Sequence, residues 1–311
     1  MTTTFSGIMD SKIENNYTEH NNTDAIHSKR IIFQPGILGT VIFSLTILIC
    51  IPGIIGNGIV FHILHCQIKK NPFTIYILNL AVADSGTLLF VFITVILHLT
   101  TGDSLIETTE GLLFTYCSGQ LLLTIISIDR CLTLFFPIWH RCRQPPYLST
   151  ILCVFSWLVP LLLCAIHYTL IWVKRHRIFA EFYQVFICIA ACIPIMMAST
   201  LALLIKGYVK SKIWKRRKLL KVTLLALFFF LTFSFPPFAI HFLNDITGNK
   251  YVNLMIIDYL CACLNSSVNP LIYFLLGRRK EHHSVYNLKI NLQTLFKEEV
   301  SEEQAEAPVD T

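Results

Sequence analysis

The side chains that could do chemistry in this sequence are few, and they stand inside apolar runs. Asp129-Arg130 closes a stretch beginning at about Gly111, Asp84 ends Leu78-Asn79-Leu80-Ala81-Val82-Ala83-Asp84, and Asn57 sits in Gly56-Asn57-Gly58. A further set, Asn265, Asn269, Pro270 and Tyr273, lies within Leu264-Asn265-Ser266-Ser267-Val268-Asn269-Pro270-Leu271-Ile272-Tyr273. A charge in hydrocarbon costs about 3 kcal/mol or more unless it is paired or reaches the interface, so an ionisable residue at such depth points to function. Asp84 reads as a polar switch or a cation site, and Asp129-Arg130 as a charge poised at a membrane face. Catalysis is a poor reading: Asp84 has no acidic neighbour at a useful spacing, no metal-ligand cluster appears, and no glycine-rich phosphate loop is present. The chain is read as a non-enzyme without a cofactor.

The elements that must position these groups are membrane spans. Of 311 residues 54% are hydrophobic and only 14% charged, unlike the mix of a soluble domain. Seven mainly apolar stretches, at about 37–64, 74–99, 110–135, 148–172, 180–206, 219–243 and 252–276, are each long enough to cross a hydrocarbon core. Backbone polar groups in lipid must be satisfied within each stretch, so all seven are expected to be helices. The predicted fold is an all-α membrane protein, a seven-helix bundle over 37–276 preceded by a polar tail, 1–36.

The net charge of +6 does not indicate a nucleic-acid partner, because of where it falls. Lys69, Lys70, Arg141, Arg143, the basic run from Lys206 to Lys221, Arg278, Arg279 and Lys280 occupy alternate connections and the tail. By the positive-inside rule these are cytoplasmic, which puts the N-terminus outside and the C-terminus inside. Lys174-Arg175-His176-Arg177 breaks the pattern as a basic outer stretch. The sequons at Asn16 and Asn21 then lie outside and are candidate glycosylation sites. Most of the eleven cysteines fall within the apolar runs and read as buried small hydrophobes; Cys66 and Cys142 fall on the reducing side, so an outer disulfide is not expected. Trp157, Pro160 and Pro194 read as packing and kinks, and Phe235-Pro236-Pro237 as a hinge in the sixth span. Val285, Leu288, Leu292, Leu295 and Phe296 recur at helical spacing, predicting an amphipathic helix over 277–297 on the inner leaflet, before an acidic tail, 298–311.

Taken in order, Asn57, Asp84, Asp129-Arg130, Trp157, Pro236 and Asn269-Pro270-Tyr273, one set per span, resemble the rhodopsin-type G-protein-coupled receptors. Lys70-Asn71-Pro72-Phe73-Thr74-Ile75-Tyr76 and Phe136-Pro137-Ile138-Trp139-His140-Arg141-Cys142 are similar to segments of the Mas-related receptors within that superfamily. The resemblance implies a receptor for an extracellular peptide or small amphipathic ligand that activates a heterotrimeric G protein. Arg130 would be held by Asp129 at rest and meet the G protein when active. Asp84, Asn57, Asn265 and Asn269 would form a polar core, and Tyr273, Pro270 and Pro236 would rearrange with it. The ligand-facing positions it implies are Leu112, His167, Lys174, Arg175, Arg177 and Tyr259.

Departures from the family pattern sharpen these expectations. Leu105 replaces the usual third-helix cysteine, and Ile171 and Ile178 stand where some relatives join the fourth and fifth helices. Ser234 replaces the sixth-helix tryptophan, Gly119 a serine of the sodium site, Arg216 an acidic residue low on the sixth helix, and Ala202 a fifth-helix tyrosine. Missing restraints predict signalling without ligand. Leu112, where amine receptors carry aspartate, argues against a small amine, and the basic outer stretch favours a partly anionic ligand. Cys263 stands where an opsin needs its retinal lysine. A seven-helix transporter or channel is the alternative, weakened by the lack of an internal repeat or a charged filter.

Overall fold

The computed structural model describes residues 36–66, 71–101, 106–136, 145, 147–174, 177–209, 221–234 and 254–277. Asn16, Asn21, Leu105, Cys142, Arg175, Arg216 and Pro236 lie outside the described residues, as do the acidic tail and all but the first residue of the helix expected over 277–297. So do the side chains of Ile171, Lys174, Arg177, Ile178 and Cys188.

Seven helices are present among the described residues: α1 Ile37–Cys66, α2 Pro72–Thr101, α3 Ile106–Phe135, α4 Leu148–Lys174, α5 Arg177–Val209, α6 Lys221–Ser234 and α7 Leu254–Gly277. They fall on the seven apolar runs. Pro160, Pro194 and Pro270 sit inside α4, α5 and α7, and each helix continues past its proline.

Local chemistry sets the start of α2. The Asn71 side-chain carbonyl accepts the Thr74 backbone N–H at 2.7 Å, the Thr74 hydroxyl accepts the Asn71 N–H at 2.9 Å, and Pro72 takes the first helical position. This reciprocal cap satisfies donors that would otherwise be orphaned, and proline there loses nothing. Within the helices, hydroxyls that would be costly in lipid turn back on their own carbonyls, as at Thr46, Ser85, Ser118 and Thr124.

Burial orders the bundle. In α3, 61% of the apolar window is buried inside the protein, against 28% in α1 and 22% in α4. α3 is therefore the central helix, packed on α2, α4 and α5, while α1 leans on α2 and α7 and turns Leu45, Leu48, Ile51 and Ile55 outward. An apolar helix face left bare in this way is the one that lipid covers. Close approach of α1 to its neighbours depends on Gly53 and Gly56: a Cβ at Gly53 would stand 2.8 Å from both Leu88 Cδ1 and Ser267 Cβ, and one at Gly56 would stand 3.0 Å from Pro270 Cβ. Gly58, by contrast, meets nothing within 4 Å and faces outward.

Two apolar clusters divide the interior. One, with Phe73, Tyr76, Leu80, Leu123, Ile126, Phe230 and Tyr273, surrounds the half containing Arg130. The other, with Phe43, Leu88, Val91, Leu112, Tyr259 and Cys263, fills the opposite half, where α3 begins. Cys50 and Cys263 lie in it as buried free thiols, their sulfurs 3.4 Å apart.

Candidate functional site

At the Arg130 end, charge is stored inside the protein. The Arg130 Nη2 donates to Asp129 Oδ2 at 2.7 Å, with the two side chains only 8% and 6% exposed. The guanidinium also lies over the Phe73 ring, 4.0 Å from its centroid. Phe73 is the second residue of α2, so the Asn71–Thr74 cap fixes the ring beneath the arginine. A desolvated cation over an aromatic face gains about 1–2 kcal/mol, which adds to the charge-assisted hydrogen bond in holding Arg130 inward. Phe73→Leu keeps apolar bulk and removes the ring. On the receptor role that the resemblance implies, it should raise ligand-free nucleotide exchange about fivefold at matched surface level, the size expected for losing a contact of this strength.

Around this pair α3, α5 and α6 close on one another. Leu134, Leu203 and Leu224, one from each helix, form a small buried cluster with Cys131 against it. Lys206 of α5 donates to the Leu134 carbonyl at 2.6 Å and lies over the Phe135 ring. A cation on the last carbonyls of a helix answers its unpaired acceptors and its dipole. Ala202 supplies no hydroxyl to steady Arg130; the leucine cluster, the Lys206 contact and the Cys131 thiol, which donates to the Ser199 carbonyl at 3.5 Å, join α5 to α3 there.

One helical level deeper lies the polar core. Asn269 Nδ2 donates to Asp84 Oδ2 at 2.7 Å, and the Ser266 hydroxyl reaches the same carboxyl group. Asp84 and Asn269 are thus brought together as expected. Asn57, expected in the same polar core, does not reach the Asp84 carboxyl group with its amide N–H. Its Nδ2 donates instead to the Ser266 carbonyl at 3.0 Å and to the Gly53 carbonyl at 3.1 Å. α1 is therefore joined to α7 through backbone, one residue from Asn265, which is buried on the same helix. Tyr273 and Pro270 are buried further along α7, with Pro270 against Gly56. A Cβ at Gly119 would stand 3.7 Å from Asp84 Oδ1, so the space beside the carboxyl group is open to a small side chain.

Trp157, read as packing, does more than fill space. Its indole N–H donates to Asn79 Oδ1 at 3.0 Å while the ring lies 5.5 Å from that of Phe114, tying α4 to α2 and α3. An indole buried at an interface commonly finds a hydrogen-bond partner for its polar edge.

At the opposite end, the expected ligand-facing residues separate into two groups. Leu112 and Tyr259 share the apolar cluster between α1, α2, α3 and α7, with His98 edge-on to Tyr259. His167 lies apart from them: its Nδ1 pairs with the Glu110 carboxylate of α3, and both remaining polar atoms, His167 Nε2 and Glu110 Oε2, are buried without a hydrogen-bond partner. His167 is among the ligand-facing positions expected from the sequence, and Glu110 is not. The signal that could have joined them is a carboxylate at the edge of the third apolar run together with the only histidine of the α4 run.

Comparison with known proteins decides the family. The 7 transmembrane receptor (rhodopsin family) pattern matches residues 56–273. The Mas-related G-protein coupled receptor member D of Macaca fascicularis is 33% identical over 91% of this chain and 92% of its own. The chain is a Mas-related receptor of the rhodopsin family. The Mas-related receptor member X1 of Homo sapiens is 30% identical over 85% of this chain and 87% of its own, and member H of Rattus norvegicus 30% identical over 82% and 83%. The receptor is therefore similar to several members at nearly one level, and the similarity does not single out one of them. It is a multi-pass membrane protein of a G-protein-coupled class, not an enzyme.

Proposed function

We propose that the receptor sits in the plasma membrane with its N-terminus outside, senses an extracellular peptide or small amphipathic ligand, and passes the signal to a heterotrimeric G protein at the Arg130 end. The observation that carries the reading is the buried Asp129–Arg130 pair with Phe73 beneath it. A cation held inward by two contacts at the end of the central helix is available to a partner once the closed end of α3, α5 and α6 opens. Such an opening exchanges contacts between two packings rather than straining one. Rearrangement of Asn269, Pro270, Tyr273 and the hinge at Pro236 accompanies it, and Asp84 with Asn57 and Asn265 holds the resting arrangement. Asn16 and Asn21 are proposed as glycosylated, and residues 277–297 as a helix lying on inner-leaflet lipid.

For the ligand, the apolar cluster of Leu112 and Tyr259 offers greasy contact, and Lys174, Arg175 and Arg177 offer positive charge. A ligand with an apolar body and an anionic group answers both. The Glu110–His167 pair adds acceptors for a hydrogen-bond donor on the same ligand. Neutralising Lys174, Arg175 and Arg177 together should weaken the potency of an anionic agonist about tenfold or more, as removal of charges paired with a ligand does. The dose–response is compared with Glu110→Gln, which is expected to act on the donor end of the ligand. Unchanged potency in the triple variant removes the anionic-ligand reading.

A further inference from the structure

α6 carries Ser234 where a bulky aromatic was expected, and the position is not empty of contact. Ser234 is fully buried, and its hydroxyl lies 3.1 Å from the phenol oxygen of Tyr116 on α3. Either oxygen can donate. Among the described residues this is the one hydrogen bond from an α6 side chain to another helix; Thr232 bonds back to Phe228 within α6, and Thr223 Oγ1 has no partner. The remaining attachment of α6 is apolar, through Val222, Leu224, Leu227 and Phe230. Apolar packing tolerates sliding and repacking, whereas a hydrogen bond between two fixed hydroxyls specifies a single register.

We propose that the Tyr116–Ser234 hydroxyl pair is the positioning contact that sets the resting register of α6 on α3, and that its separation is a step in opening the Arg130 end. The inference rests on the proposed movement of α6. Both groups can lose each other at small cost to folding. A serine in a helix can return its hydroxyl to the carbonyl four residues earlier, as Ser118 and Ser267 do in this chain. Tyr116 is half-buried on α3, one helical turn beyond Leu112, and packs against the apolar cluster that surrounds the Arg130 half. The pair thus stands one helical turn from Leu112, a position proposed to face the ligand, and at the contact between α3 and the helix that must move.

The test uses Tyr116→Phe, Ser234→Ala and the double variant in the full-length receptor. Losing one net hydrogen bond from the resting state raises ligand-free exchange about fivefold in either single variant, and the double variant rises no further, because one contact is lost in all three. A distance measurement between spin labels at positions 150 on α4 and 221 on α6, with Cys66 and Cys142 replaced by serine, reads the opening without any G protein. Each single variant shifts weight to longer distances. Equal distance distributions in all four forms overturn the proposal. So do singles that add in the double, or a fall in basal exchange. If distances lengthen while no G-protein α-subunit responds, the latch stands and the coupling reading fails.

Discussion

Basal nucleotide exchange should be measurable for this receptor on at least one class of G-protein α-subunit, and Arg130→Ala should reduce it by roughly ten- to a hundredfold, the worth of a lost charge-assisted contact. The first half follows from how α6 is held. Its described contacts with α3 and α5 are one hydroxyl pair and apolar packing through Val222, Leu224, Leu227 and Phe230, with no charge pair among them. A few kcal/mol separate two states populated at 1% and 50%, so a weakly tethered α6 leaves a detectable open fraction. The second half follows from the geometry of Arg130, whose planar guanidinium is parked against Asp129 and Phe73 and is free to meet a partner carbonyl only after both contacts break. Alanine at that position also leaves Asp129 buried without its cation, an arrangement that costs about 3 kcal/mol or more. The comparison is therefore made at matched surface level. Arg130→Lys keeps the charge and loses the fork; an intermediate rate for it attributes the effect to the guanidinium shape. Normal exchange by Arg130→Ala would mean that the partner reads another part of this end, such as Lys206 or the exposed Phe136.

How far the site could be read without a structure depends on the background against which each residue stands. Asp84, Arg130 and Asn269 were legible because a polar group in an apolar run is expensive, and the cost itself marks them. The partner of Asn57 was not, since the Ser266 carbonyl is backbone and leaves no trace in residue type. Phe73 is one of 23 phenylalanines, and only its place as the second residue after an Asn-Pro cap sets it under Arg130. Tyr116 and Ser234 each looked ordinary or deficient alone. Their meeting depends on the relative rotation of α3 and α6, which sequence periodicity leaves open when a helix is apolar on nearly all sides. The seven helices, by contrast, were fixed in number and place by the length that a bilayer demands.

The same dependence on rotation separates two glycines five residues apart, and Gly53→Val should be the most damaging single change available in α1. The first added carbon would already stand 2.8 Å from Leu88 Cδ1 and Ser267 Cβ, closer than packed carbons approach. Leu88 is fully buried and has little room to turn, and Ser267 Cβ is fixed to the α7 backbone, whose Cα lies 3.4 Å from the same point. Relief therefore requires α1 to move off α7. That movement stretches the Asn57 bond to the Ser266 carbonyl, one turn along, and loosens the segment of α7 that presents Asn269 to Asp84. Overpacking costs about 1–3 kcal/mol and a buried amide left unpaired about as much again, so the loss is several kcal/mol of a total that is typically about 5–15. In detergent this should lower Tm by roughly 10 °C and deplete the surface population. Gly58→Val, where nothing lies within 4 Å, should leave both unchanged, because the added methyls meet lipid and not a helix. Equal damage from the two substitutions would trace the sensitivity to helix propensity along α1. Damage confined to Gly53 assigns it to the α1–α7 contact, through which the first helix holds the polar core in register.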